Sequence, residues 1–82
     1  MPMNDGFHKL ALTKFSNGEF AESIQLFKKS LALKEEWQSY QGLGWSLYYM
    51  RKYQSAVDAF KKSLALKEKW QSYQGLGWSL YN

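Results

Sequence analysis

The chain repeats itself. Residues 27–48 read FKKSLALKEEWQSYQGLGWSLY and residues 60–81 read FKKSLALKEKWQSYQGLGWSLY, an offset of 33 residues with only Glu36 against Lys69 differing. A fixed period of this length marks arrays in which each unit is too small to bury its own apolar face and is completed by its neighbours. Extending the register backward pairs Phe20 with Tyr53, Ser23 with Ala56 and Ile24 with Val57. The 82 residues therefore divide into unit one (4–36), unit two (37–69) and a half unit (70–82). We read them as a single domain.

Each unit carries two helical patterns. Tyr40, Leu43, Gly44, Leu47 and Tyr48 recur at the spacing of one α-helical face, and Tyr53, Ala56, Val57, Phe60 and Leu64 do the same. Unit one repeats both, through Phe7, Leu10 and Ala11, then Phe20, Ser23, Ile24, Phe27 and Leu31. Asn17-Gly18 is a good turn pair between its helices, and Arg51-Lys52 is a weaker one at the matching place. Lys34-Glu35-Glu36 and Lys67-Glu68-Lys69 are short polar links. No segment alternates as a strand does. The expectation is an all-α fold of tandem helix-turn-helix repeats, an α-solenoid of about two and a half repeats and five helices.

These units resemble the tetratricopeptide repeat family. The family spaces an aromatic, Leu-Gly and a large residue, then Ala-x3-Phe. Unit two reads Tyr40-x2-Leu43-Gly44-x2-Leu47, then Ala56-x3-Phe60; the half unit reads Tyr73-x2-Leu76-Gly77-x2-Leu80. Unit one reads Phe7-x2-Leu10-Ala11-x2-Lys14, then Ser23-x3-Phe27. Two departures stand out. The period is 33 rather than 34, and Glu35 and Glu68 replace the family's proline after the second helix. Small residues such as Gly44 and Ala56 fall where helices cross and backbones approach. Gly42, Gly44, Gly75 and Gly77 together cost about 4 kcal/mol of helix propensity, which close packing must offset.

The resemblance implies a concave surface lined by the first helix of each pair and a role in binding proteins or peptides. By family register its outward positions are Asp5, His8, Leu12, Phe15 and Ser16, then Gln38, Gln41, Trp45, Tyr48 and Tyr49, then Gln71, Gln74, Trp78 and Tyr81. Segments 37–49 and 70–82 contain no charged residue. Aromatic and glutamine side chains offer a peptide apolar area plus hydrogen bonds. We therefore expect Leu12, Gln38, Gln41, Trp45, Tyr48, Tyr49, Gln71, Gln74, Trp78 and Tyr81 to contact a protein or peptide partner. The competing expectation is that Trp45 and Trp78 only pack between neighbouring helices. Some family members capture a chaperone's terminal carboxylate with Lys, Asn and Arg. Here those positions hold His8, Leu12, Gln41, Trp45, Gln74 and Trp78, so that clamp is absent.

The last helix has no following partner in the pattern. Solenoid ends usually carry a polar outer face, but the half unit copies Tyr73, Leu76 and Leu80 unchanged. We expect these three to contact a second copy, as a symmetric pair, a head-to-tail assembly or an exchanged helix. Near-identical units also admit a structural or designed array with no external ligand.

Other chemistries find little support. With no cysteine and one histidine, His8, no thiolate or histidine-cluster metal site is available. No cofactor is expected. Carboxylates are scattered without acid–base pairing, and Gly42-Leu43-Gly44 lies inside a helix and lacks a phosphate loop's lysine. The chain is not read as an enzyme. Lys28, Lys29, Lys61 and Lys62 fall on the second helices, away from the spare aromatics. Nucleic-acid binding, which needs both on one surface, is not expected despite a net charge of +4. No apolar run suffices to span a membrane. The start, Met1-Pro2-Met3-Asn4-Asp5, has no secretory pattern. A cytoplasmic location is the expectation.

Overall fold

The computed structural model describes residues 5–81. Five helices account for most of them: α1 (Asp5–Ser16), α2 (Phe20–Leu33), α3 (Trp37–Tyr49), α4 (Tyr53–Leu66) and α5 (Trp70–Tyr81). No strand occurs among the described residues. Neighbours pack in chain order, α1 on α2, α2 on α3, α3 on α4 and α4 on α5, with smaller contacts linking α1 to α3 and α3 to α5. That is the expected tandem helix-turn-helix array.

Two kinds of connection make the array. Within a pair the chain turns tightly, and Gly18 takes a left-handed φ of 78°. Arg51 stands at the same place in the next pair with a φ of 62°. Between pairs the links at 34–36 and 67–69 are extended; Lys34 and Lys67 end α2 and α4 with φ near −160°. Here the glutamates that replace the family's proline act as clasps. The Tyr40 hydroxyl donates to Glu35, and the Tyr73 hydroxyl donates to Glu68 at 2.7 Å.

The core is a row of phenylalanines on small residues. Phe27 and Phe60 are fully buried within one cluster with Ala11, Ile24, Leu43, Leu47, Ala56 and Ala59. A Cβ added at Gly42 would collide with the Phe27 ring, one at Gly75 with the Phe60 ring, and one at Gly44 would stand 2.8 Å from Phe60. Glycine's propensity cost is offset at these three positions by a ring that could not otherwise approach.

Between the apolar layers runs a ladder of buried serines. Ser23 and Ser46 hydroxyls lie 2.7 Å apart, Ser30 and Ser39 3.2 Å, Ser63 and Ser72 3.0 Å. Ser63 donates to the Trp37 carbonyl at 2.9 Å, so its single proton is used and Ser72 donates to it. Only Ser79 breaks the pattern, buried with an unpartnered hydroxyl. Its repeat equivalent Ser46 meets Ser23, whose own equivalent is Ala56.

Candidate functional site

The first helices of the pairs, α1, α3 and α5, lie side by side and form one face. The tie between them is polar: His8 Nδ1 lies 3.0 Å from Ser39 Oγ, and Gln41 donates to Ser72 Oγ at 3.0 Å. His8 and Gln41 are equivalent in the repeat. One register position thus reaches forward to the serine of the next first helix.

Four hollows follow one another across this face. The first, about 250 Å³, is bordered by Leu12, Phe15, Gln38, Gln41 and Trp45 among others. The second, about 340 Å³, lies among Phe15, Gln41, Trp45, Tyr49, Gln71 and Gln74. The third, about 300 Å³, lies among Trp45, Tyr48, Tyr49, Gln74 and Trp78. The fourth, about 430 Å³, lies among Tyr73, Gln74, Gly77, Trp78 and Tyr81. Adjacent hollows share side chains, so they line up as a shallow trough. Among the described side chains, no Asp, Glu, Lys or Arg borders any of the four.

All ten residues expected to contact a partner border this trough, but they differ in what else they do. Trp45 is half-buried and meets Phe60 edge-on at 5.3 Å, so it is both wall and core. Its copy Trp78 is half exposed. Tyr49 stacks on Phe20 at 5.0 Å and lies against Phe15 at 5.9 Å, clasping the first pair to the second. Tyr48 meets Tyr53 at 5.5 Å and Trp45 at 5.7 Å. Leu12, Gln38, Gln74 and Tyr81 are exposed, and Gln71 is partly so. Asp5 begins α1, but its side chain lies outside the described residues.

Of the residues expected to meet a second copy, Tyr73 and Leu80 are exposed, while Leu76 is partly covered and packs on the core. The serine ladder escaped the sequence reading, though its signal was there: serine recurs at 30 and 63, 39 and 72, 46 and 79, on otherwise apolar faces.

The opposite face is chemically different. Between α2 and α4 lies a hollow of about 380 Å³ with Ile24, Leu43, Leu47 and Ala59 in its wall and Lys28, Lys52, Lys62 and Asp58 at its rim. Lys29 and Lys62 each lie 5.8 Å from an aromatic ring, Phe7 and Tyr40 respectively. These cations already have a structural use.

Burial and the Glu35 acceptor shape one titration. The hydrogen bond to Glu35 needs the phenolic proton, and with burial it pushes Tyr40 up to about 12. The same bond to Glu68 raises Tyr73. No group of histidines, cysteines and carboxylates that could hold a metal ion occurs among the described residues. Among the described residues, no helix is long and apolar enough to cross a membrane.

The family model described as Tetratricopeptide repeat matches residues 3–69. No curated protein and no solved structure gives a match.

Proposed function

The chain belongs to the tetratricopeptide repeat family, a family of non-catalytic scaffolds for protein–protein contact, and we propose that its trough binds an extended, uncharged peptide. The observation that carries this is the run of hollows across α1, α3 and α5 whose described walls hold no Asp, Glu, Lys or Arg. Away from the Tyr73 end, a charged ligand would lose water there without gaining a partner. An apolar or aromatic side chain would gain area against Trp45, Tyr48 and Trp78. Gln38, Gln71 and Gln74 make no hydrogen bond among the described residues, and their amides can pair with a peptide backbone.

The test is selection of peptides from a random display library by the intact chain, followed by Leu12→Asp and Gln71→Glu. Both positions touch the trough without filling the core. The expected result is a set of uncharged sequences whose binding falls at least about tenfold in each variant, since a buried unpaired charge is introduced, while the melting temperature stays put. Selection of strongly acidic or basic peptides, or equal binding by the variants, would sink the reading.

A second reading rests on a separate observation. Tyr73, Leu80 and Tyr81 expose large apolar surface on α5, and that helix is uncharged. Two α5 helices could pair symmetrically through it. Light scattering would then show a mass that rises with concentration, and Leu80→Glu would return it to the monomer value.

A further inference from the structure

Residues 37–48 and 70–81 are identical, so α3 shows what the surface of α5 is shaped to hold. On α3, α4 covers one face. Phe60 presses on Gly44, meets Trp45 edge-on, and is followed two residues later by Lys62 over the Tyr40 ring. The first pair uses the same plan, with Phe27 in the core beside Ala11 and Lys29 over Phe7.

On α5 the same surface is open. A Cβ added at Gly77 would meet nothing within 4 Å. Tyr73 is 51% exposed where Tyr40 is 8%, and Leu80 is 65% exposed where Leu47 is 7%. A groove of about 430 Å³ runs past Tyr73, Gly77 and Trp78. The difference between α3 and α5 is cover, not the residues: α4 lies over this face of α3, and no described helix lies over it on α5.

We propose that this face of α5 is a docking site for an amphipathic helix of another protein, one with a phenylalanine followed two residues later by a lysine or arginine. The phenylalanine enters the gap at Gly77 beside Trp78. The cation lies over Tyr73, whose hydroxyl is already held by the Glu68 carboxylate, which adds negative charge beside that ring. Seating an apolar helical face in a groove through a few anchors is a general mode of helix recognition.

A second folded copy does not supply this helix, because Phe27 and Phe60 have no exposed surface. Nor does the first helix offer an open seat. Where α5 has Gly77, α1 has Ala11, already buried in the core with Phe27. Gly77 is also the one glycine of the four that weakens its helix with no ring pressed against it.

The probe is a labelled peptide with the sequence of residues 52–67, titrated with the 82-residue chain and read by fluorescence anisotropy. The expected result is saturable binding, weakened at least about tenfold by Phe60→Ala in the peptide, as for loss of an anchor, and several-fold by Lys62→Ala in the peptide. Gly77→Ala in the chain should lose binding by a similar factor while melting at the same or a higher temperature, because the added methyl fills the gap and strengthens the helix. Leu12→Ala should leave the peptide's affinity unchanged, which separates this site from the trough's first hollow, the two surfaces sharing only the hollow at Trp78. Absence of saturable binding, equal binding by the Phe60→Ala peptide, or wild-type binding by Gly77→Ala overturns the proposal. So does a dimer of the chain, seen by light scattering, that the peptide fails to dissociate.

Discussion

Arg51 holds the left-handed turn position that Gly18 holds one repeat earlier. A side chain with a Cβ costs about 1–2 kcal/mol in that conformation. Arg51→Gly should therefore raise the unfolding free energy by about 1 kcal/mol, the strain relieved less glycine's entropy in the unfolded chain. Chemical denaturation would detect it as a higher midpoint at unchanged slope; a lower midpoint would mean that the arginine side chain makes a compensating contact. Ser79 is the second residue at odds with its surroundings. Its hydroxyl is buried and unpartnered because Ala56 stands where unit one has Ser23. Ala56→Ser should supply the missing partner and stabilise by about 1 kcal/mol. The gain should vanish when Ser79→Ala is present, since the new hydroxyl then keeps only an acceptor in its own helix, as Ser23 has in the Phe20 carbonyl, and no partner across the crossing. Additive effects of the two substitutions would show that they do not meet.

Helices were the most legible level, because period and punctuation are local properties. The face of α4 from Tyr53 through Leu64 and the turn at Asn17-Gly18 could be read directly, and the helices lie where those signals put them. The serine ladder was legible only as a recurrence, not as contacts: serine by composition belongs to turns and surfaces, and only the helix crossing makes Ser30 and Ser39 neighbours. Trp45 and Trp78 could not be told apart for a similar reason. Their local sequences are the same, and only the presence of α4 over α3 puts Phe60 against the first. The links between pairs add a titratable element. The proton on Tyr40 is held by Glu35, so the folded value lies above the usual tyrosine value of 10, at about 12. A raised acid contributes stability that is complete below the unfolded value and lost as pH climbs through the folded one. The clasp should thus hold to about pH 10 and weaken between about 10 and 12. Tyr40→Phe should flatten that part of the stability–pH curve, measured by denaturation at each pH. If the variant's curve runs parallel to the parent's through this window, the clasp contributes nothing.

Across the whole molecule the array is unequal at its ends, and α3 and α5 give a controlled comparison of what packing adds. Twelve residues, 37–48 and 70–81, have the same sequence, so their intrinsic helix propensities and their intrinsic amide exchange chemistry are nearly the same. What differs is cover. α3 is enclosed by α2 and α4, whereas α5 rests on α4 with a small contact to α3. Stability in stacked repeats is close to a sum of unit terms and neighbour interfaces, and most helical stability in proteins comes from the packed face rather than from propensity. An element missing one interface should open on its own before the rest unfolds. Amides of 70–81 should therefore exchange at least about tenfold faster than their counterparts in 37–48, corresponding to a local opening cheaper by at least about 1.4 kcal/mol. Hydrogen exchange followed by NMR resolves the pairs residue by residue, Leu47 against Leu80 and Leu43 against Leu76. Equal protection in the two helices would mean that α5 is covered in solution, and dilution would then decide between a second copy, whose protection fades as concentration falls, and an intramolecular contact, whose protection does not.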